Sequence, residues 1–302
     1  MKRSVIHLAK NTLAMTLPNK WASTWGVKPK DLLDVSEHGN ELIISTHNNV
    51  STQPKKVNVF GSFKHIRRQI SIPYRQGVDA LEVHFEDPAD MKKIQKTLEI
   101  TLGYEILSRG PHHCVIKDVA NLNENDFEQL SRRYFNVTLA LAKDTLTAME
   151  AKDLASLQNL EQLFDTQSKL FLACERLVNK ASFRLHPFPV FLYIFIDSLE
   201  GMGDHIERIV NFLKSEGRIE IGKEPLNLFR KEVKLIEDLQ TMYFDFDPKL
   251  GDKMMVTREE IEESAKRLLP KAKLHDAIIL HHLFNLNWSI SEGLSDIYGL
   301  KM

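Results

Sequence analysis

The stretch Thr12-Leu13-Ala14-Met15-Thr16-Leu17-Pro18-Asn19-Lys20-Trp21-Ala22-Ser23-Thr24-Trp25-Gly26 changes period in its middle. Leu13, Met15 and Leu17 alternate with Thr12, Ala14 and Thr16, which is the period of a strand. Pro18 then opens a short helix at the position where a missing N–H costs nothing, Trp21 and Trp25 fall on one face, and Gly26 can close the turn in the left-handed region. Working outward, short-strand patterning begins at Ser4. Downstream, Lys30-Asp31 and Gly39-Asn40 read as turns, and Leu42 and Ile44 alternate with Ile43 and Ser45. The order is β-β-α-β-β, too little chain to bury two tryptophans and the accompanying aliphatics within one copy, so a partner chain is expected.

The rest of the composition sets bounds. The 302 residues carry 40 Lys and Arg against 41 Asp and Glu, so no global field draws the protein to nucleic acid or an anionic surface. Residues 1–56 differ: Lys and Arg at 2, 3, 10, 20, 28, 30, 55 and 56 outnumber the acids at 31, 34, 37 and 41. Cys114 and Cys174 stand far apart without a C-x-x-C, which argues against a disulfide framework and fits a reducing compartment. The longest apolar run, Val190 to Ile196, falls short of the ~20 residues of a spanning helix. A cytoplasmic chain without membrane insertion is expected.

A polar segment, His47 to Lys56, reads as a linker. A mixed region follows, with a helix over Ser62 to Gln76 that Pro73 kinks or ends, a strand over Ala80 to Phe85, a helix from Asp87-Pro88 to Leu102, and strands over Tyr104–Leu107 and Cys114–Ile116. From Asn123 the period is 3.6, with stripes such as Phe127, Leu130, Tyr134, Val137 and Leu141, and Ile279, Leu283, Leu286, Ile290, Leu294 and Ile297. Breaks at Asp153, Pro187–Pro189, Gly217–Gly222, Pro248–Gly251 and Pro270 divide it into about six helices, an up-down bundle. The predicted fold is multidomain α+β, with domains over 1–47, 56–120 and 121–302.

Two of those helices repeat a pattern, Glu200-Gly201-Met202-Gly203-Asp204 and Glu292-Gly293-Leu294-Ser295-Asp296, 92 residues apart. Carboxylates four apart project from one face and suit a hard cation or an oxygen-ligated transition metal, although solvated helix faces also produce the pattern. His112-His113-Cys114 reads as ordinary hairpin residues, and His281-His282 as packed. Nothing resembles a phosphate-cradling loop, a dinucleotide fingerprint, a zinc-protease helix or a nucleophile elbow, which lowers the prior for an enzyme.

Residues 2–46, through Thr16-Leu17-Pro18-Asn19-Lys20-Trp21 and Gly26-Val27-Lys28-Pro29-Lys30-Asp31, resemble the AbrB/SpoVT swapped-hairpin family. The resemblance implies an interleaved homodimer, or higher homo-oligomer, that binds DNA through Arg3, Lys10, Asn11, Thr12 and Lys20, with Asn11 and Thr12 forming the turn. Residues from about 66 onward, through Tyr74-Arg75-Gln76-Gly77-Val78-Asp79, Gly103-Tyr104-Glu105-Ile106 and Arg132-Arg133-Tyr134-Phe135, resemble archaeal phosphate uptake regulators, in which such a domain is fused to a PhoU-like helical bundle. That resemblance implies a divalent or iron-type metal held by Glu200, Asp204, Glu292, Asp296 and Asp165. Lys169 departs from the pattern, because an ammonium where the second acid belongs repels a divalent cation. Expected partners are DNA, a second copy and a phosphate transporter component. The expected function is transcription regulation linked to phosphate status; the competing reading is an adaptor that uses its N-terminal domain only to dimerise.

Overall fold

A computed structural model describes residues 1–46 and 54–302, and the chain divides into two compact units, Met1–Pro54 and Lys55–Met302. The first unit holds β1 (Val5–Ala9), β2 (Thr12–Met15), α1 (Asn19–Thr24), β3 (Leu33–His38) and β4 (Glu41–Thr46), the expected order. β1 pairs antiparallel with β2, and β3 with β4, as two separate two-stranded sheets. Pro18 is the N-cap of α1, and Gly26 follows the helix at φ +64°. Gly39 (φ +58°) and Asn40 connect His38 to its cross-strand partner Glu41, a tight turn that needs a positive φ. At the tip of the first hairpin the two turn residues are Lys10 and Asn11; Thr12 is already the first residue of β2, paired with Ala9.

The second unit opens with an element the sequence hides. Lys55–Asn58 is strand β5, where a linker is expected through Lys56; most of the remaining linker, residues 47–53, lies outside the described residues. Helix α2 (Phe63–Arg75) follows, capped by the Ser62 side chain and carrying Pro73 in its last turns, and Gly77 then reverses the chain at φ +82°. Next come β6 (Ala80–His84), α3 (Asp90–Leu98), β7 (Tyr104–Arg109) and β8 (His113–Asp118). The sheet order is β5-β6-β8-β7, with β5 parallel to β6 and β8 antiparallel to both neighbours. Leu81, Val83, Cys114 and Ile116 point to its buried face, as do Ile66, Ile70 and Tyr74 of α2. Asp87 caps the approach to α3, accepting a hydrogen bond from the backbone N–H of Ala89, but the helix ends at Leu98, four residues short of expectation.

Gly103 closes that connection at φ +89°, where a Cβ would stand 2.5 Å from Asp118 Oδ1 and 2.6 Å from Ala120 Cβ. Gly103→Ala is therefore expected to cost about 1–3 kcal/mol from backbone strain and crowding. Gly39→Ala, with nothing within 4 Å of the added methyl, should cost less. Denaturant titration of the two variants checks the order.

Six long helices complete the unit, with a short one between the first two: α4 (Phe127–Ala151), α5 (Leu154–Gln158), α6 (Glu161–Ala181), α7 (Pro189–Glu216), α8 (Lys223–Phe244), α9 (Pro248–Leu268) and α10 (Leu274–Lys301). Their ends are written in the sequence. Lys152 takes a left-handed conformation after α4, Asp153 caps α5, Pro189 and Pro248 open α7 and α9, and Gly217 ends α7. The expected stripes face inward, with Tyr134, Leu141, Ile279, Leu283, Leu286 and Ile297 buried, and Phe164, Phe171 and Cys174 of α6 are buried with them.

The βαβαββ segment and the helices, expected as separate domains, share one compact unit, and a buried guanidinium joins them. Arg176 on α6 is 1 % exposed and donates to the backbone carbonyls of Tyr74 and Val78 and to the carboxylates of Asp79 and Asp118, the last at 2.8 Å. Its charge also lies 4.9 Å from the Tyr74 ring centroid. One residue away, Glu175 pairs with Arg75, which also donates to the Tyr193 hydroxyl.

Candidate nucleic-acid interface

No side chain described in Met1–Thr46 is buried. Each hairpin leaves apolar side chains exposed: Val5, Ile6, Leu8, Leu13 and Met15 on the first, Val35 and Leu42 on the second, with Leu32 90 % exposed just before β3. A two-stranded sheet is marginal in isolation, and each large apolar side chain left in water forgoes about 1.5–3 kcal/mol of burial. Soluble monomers rarely leave so many large apolar side chains exposed in so small a unit, which marks an interaction surface.

Against this apolar body the cations stand free. Arg3 precedes β1, Lys10 sits at the hairpin tip, and Lys20 lies in the first turn of α1; all three are exposed, as are Asn11 and Thr12. None of the three cations has an ion-pair partner among the described residues, so each is available to a phosphate oxygen. Asp31, exposed like them, is engaged locally, its carboxylate accepting the backbone N–H of Lys28.

Residues 6–55 match the family model described as antidote-toxin recognition MazE, bacterial antitoxin. The N-terminal unit is thus similar to a MazE/AbrB-like domain, in line with the swapped-hairpin resemblance of residues 2–46. No curated protein and no solved structure matches the chain.

The acids proposed for a metal lie in the second unit. Glu200 is half-buried and accepts from the Tyr134 hydroxyl at 3.4 Å; burial first, and the Asp204 carboxylate second, push its pKa up to about 8. Asp204 is paired with Arg208 at 3.6 Å. Asp296 is buried and accepts from the Ser198 hydroxyl at 3.2 Å, its pKa pushed up to about 6 chiefly by burial, while Glu292 and Asp165 are exposed. Among the described residues no group of three or more His, Cys, Asp or Glu has metal-binding geometry. The two halves of the repeated pattern also differ in setting: Ile196 is buried, whereas Trp288, four residues before Glu292, is 61 % exposed.

The histidines divide as their surroundings dictate. His113 stacks on its cross-strand partner His84 with ring centroids 6.1 Å apart, and Cys114 is buried with its thiol pushed up to about 11. His205 and His282 face each other at 6.0 Å, and burial, aided by His281 and Arg208, lowers both to about 4, so both are neutral at pH 7. No described helix is long and apolar enough to cross a membrane.

Two groups escaped the sequence reading. Arg176 stands between Glu175 and Leu177 in a run that reads as an amphipathic helix. Glu232 lies on the apolar stripe of α8 with Leu228, Phe229, Leu235, Ile236 and Leu239, fully buried, and neither carboxylate oxygen has a hydrogen-bond partner. The stripe itself could have flagged Glu232, since the period places it inside.

Proposed function

We propose that this chain is a DNA-binding transcription regulator whose N-terminal unit is completed by a second copy. The observation that carries the reading is the pairing, in one small unit, of apolar hairpins in which no described side chain is buried with unpartnered cations at Arg3, Lys10 and Lys20. Interleaving two copies would bury the apolar faces and set two basic hairpins on one surface. The similarity of residues 6–55 to MazE/AbrB-like domains, which typically bind DNA and dimerise, supports it. Cations at hairpin tips and helix starts meet phosphate oxygens, with Asn11 and Thr12 supplying hydrogen bonds that fix register.

In this reading the helical bundle is the sensor or relay. It alters the spacing of paired N-terminal units and so their fit to half-sites. The resemblance to phosphate uptake regulators makes phosphate status the signal and a phosphate transporter component a partner of the bundle. The same resemblance makes Glu200, Asp204, Glu292, Asp296 and Asp165 candidate ligands for a divalent or iron-type metal, to be tested by metal analysis of purified protein with and without Glu200→Ala and Asp204→Ala. No enzymatic chemistry is assigned.

Binding of the full chain to genomic DNA fragments tests the reading. Replacing Lys10 and Lys20 together by Ala removes up to four phosphate contacts per dimer. Affinity should fall by about tenfold or more, and the salt dependence should flatten by up to about 4 in the log–log slope. An adaptor that merely dimerises through these hairpins would show no change.

A further inference from the structure

At one end of the helical bundle a cleft of about 590 Å³ gathers Lys152, Lys223, Lys271 and Lys273. They arrive from four segments: the residue ending α4, the first residue of α8, the 3-10 turn after α9, and the N-cap of α10. None of these lysines has an ion-pair or hydrogen-bond partner among the described residues. Elsewhere in the bundle Lys143, Arg230, Lys231, Lys234, Arg258 and Lys266 are held by carboxylates.

Three acids line the cleft too; two are engaged, and Glu224 has no partner among the described residues. The Asp276 carboxylate accepts the backbone N–H of Gly222 at 2.8 Å, and Glu220 lies 3.5 Å from Arg218. Imidazole Nδ1 of His275, also in the lining, is buried without a hydrogen-bond partner, while its Nε2 meets Glu216 at 3.0 Å. The start of α10 has no side-chain cap, so its first N–H groups add a small positive potential to the ammonium groups. Beneath the charges Ile221, Leu268 and Leu280 give an apolar floor. The volume lies within the roughly 300–1,000 Å³ range of small-molecule sites.

We propose that this cleft binds a nucleoside polyphosphate, its phosphates on the four lysines and its base over the apolar floor. The inference rests on the cleft and not on the DNA-binding reading. A concave pocket between helix ends suits a small ligand better than a duplex backbone, and several separated cations suit a polyphosphate better than a single phosphate ion.

The test is calorimetric titration of the full chain with ATP at low salt, without added metal, beside orthophosphate. Saturable binding of one ATP per chain is expected, with orthophosphate weaker by about tenfold or more, because it engages fewer of the charge-assisted contacts. The double variant Lys223→Ala/Lys273→Ala, and separately Lys152→Glu/Lys271→Glu, should weaken ATP by about tenfold or more with an unchanged melting profile. Lys10→Ala/Lys20→Ala should leave ATP binding unchanged. Absence of saturable ATP binding, binding indifferent to both cleft variants, or orthophosphate binding as tightly as ATP would overturn the proposal. So would cleft variants that weaken DNA binding in a chain that does not take ATP.

Discussion

Arg176→Ala is expected to destabilise the second unit by about 3–5 kcal/mol, the usual consequence of removing one partner from a buried ion pair. Asp118, whose side chain is 2 % exposed, loses its cation, and the carbonyls of Tyr74 and Val78 each lose one donor, keeping the Gly77 N–H and the Tyr104 hydroxyl respectively. Asp79 keeps Lys180 at 2.7 Å, so the damage falls on Asp118 and on the contact between sheet and bundle. Arg176→Lys should recover little, because one ammonium cannot reproduce a planar fork serving two carbonyls and two carboxylates. Denaturant unfolding of the three proteins at equal concentration checks both statements. A lysine variant as stable as the parent would show that charge, not fork geometry, matters there.

Glu232→Leu should do the reverse and stabilise, by about 1–4 kcal/mol near neutral pH, since a buried carboxyl with no partner is replaced by an apolar side chain that the site already surrounds. Burial raises the Glu232 pKa well above its ordinary value, so the folded protein holds a proton that the unfolded chain gives up. The sign follows from linkage. This contribution is fully present below the unfolded pKa and is lost as pH rises toward the folded one, at up to about 1.4 kcal/mol per pH unit. Melting profiles of parent and Glu232→Leu at several pH values between 5 and 8 should therefore diverge as pH rises. Parallel profiles, or a less stable variant, would mean that a partner satisfies the carboxyl.

These two residues also mark where sequence reading stops. The N-terminal unit was legible because its signals are local: Pro18 before a six-residue helix, Gly26 after it, and Gly39-Asn40 between paired strands. The long helices were legible because Asp153, Pro189, Gly217 and Pro248 punctuate a strong 3.6 period. Strand β5 was not, since Lys55-Lys56-Val57-Asn58 has one apolar residue and a place at the sheet edge, where no alternation is enforced. The candidate DNA-contacting cations could be named from their positions on a recognised pattern. The lysine cleft could not, because its members are spread along the chain from Lys152 to Lys273 and meet only when the bundle closes.

The repeated acidic pattern shows the converse. Equal spacing put Glu200 and Asp204, and Glu292 and Asp296, on equivalent helix faces. Three of the four then meet different partners: Tyr134 of α4 for Glu200, Arg208 one turn along the same helix for Asp204, and Ser198 of α7 for Asp296. Spacing fixes a face, but only the neighbouring helices decide whether carboxylates converge.

The most direct test of the central claim is binding of the full chain to genomic DNA fragments across a salt series, beside a chain that begins at residue 55. The account predicts tight binding at low salt that weakens steeply as salt rises and disappears without the N-terminal unit. Equal DNA binding by both chains, or none by the full chain at low salt, would contradict it.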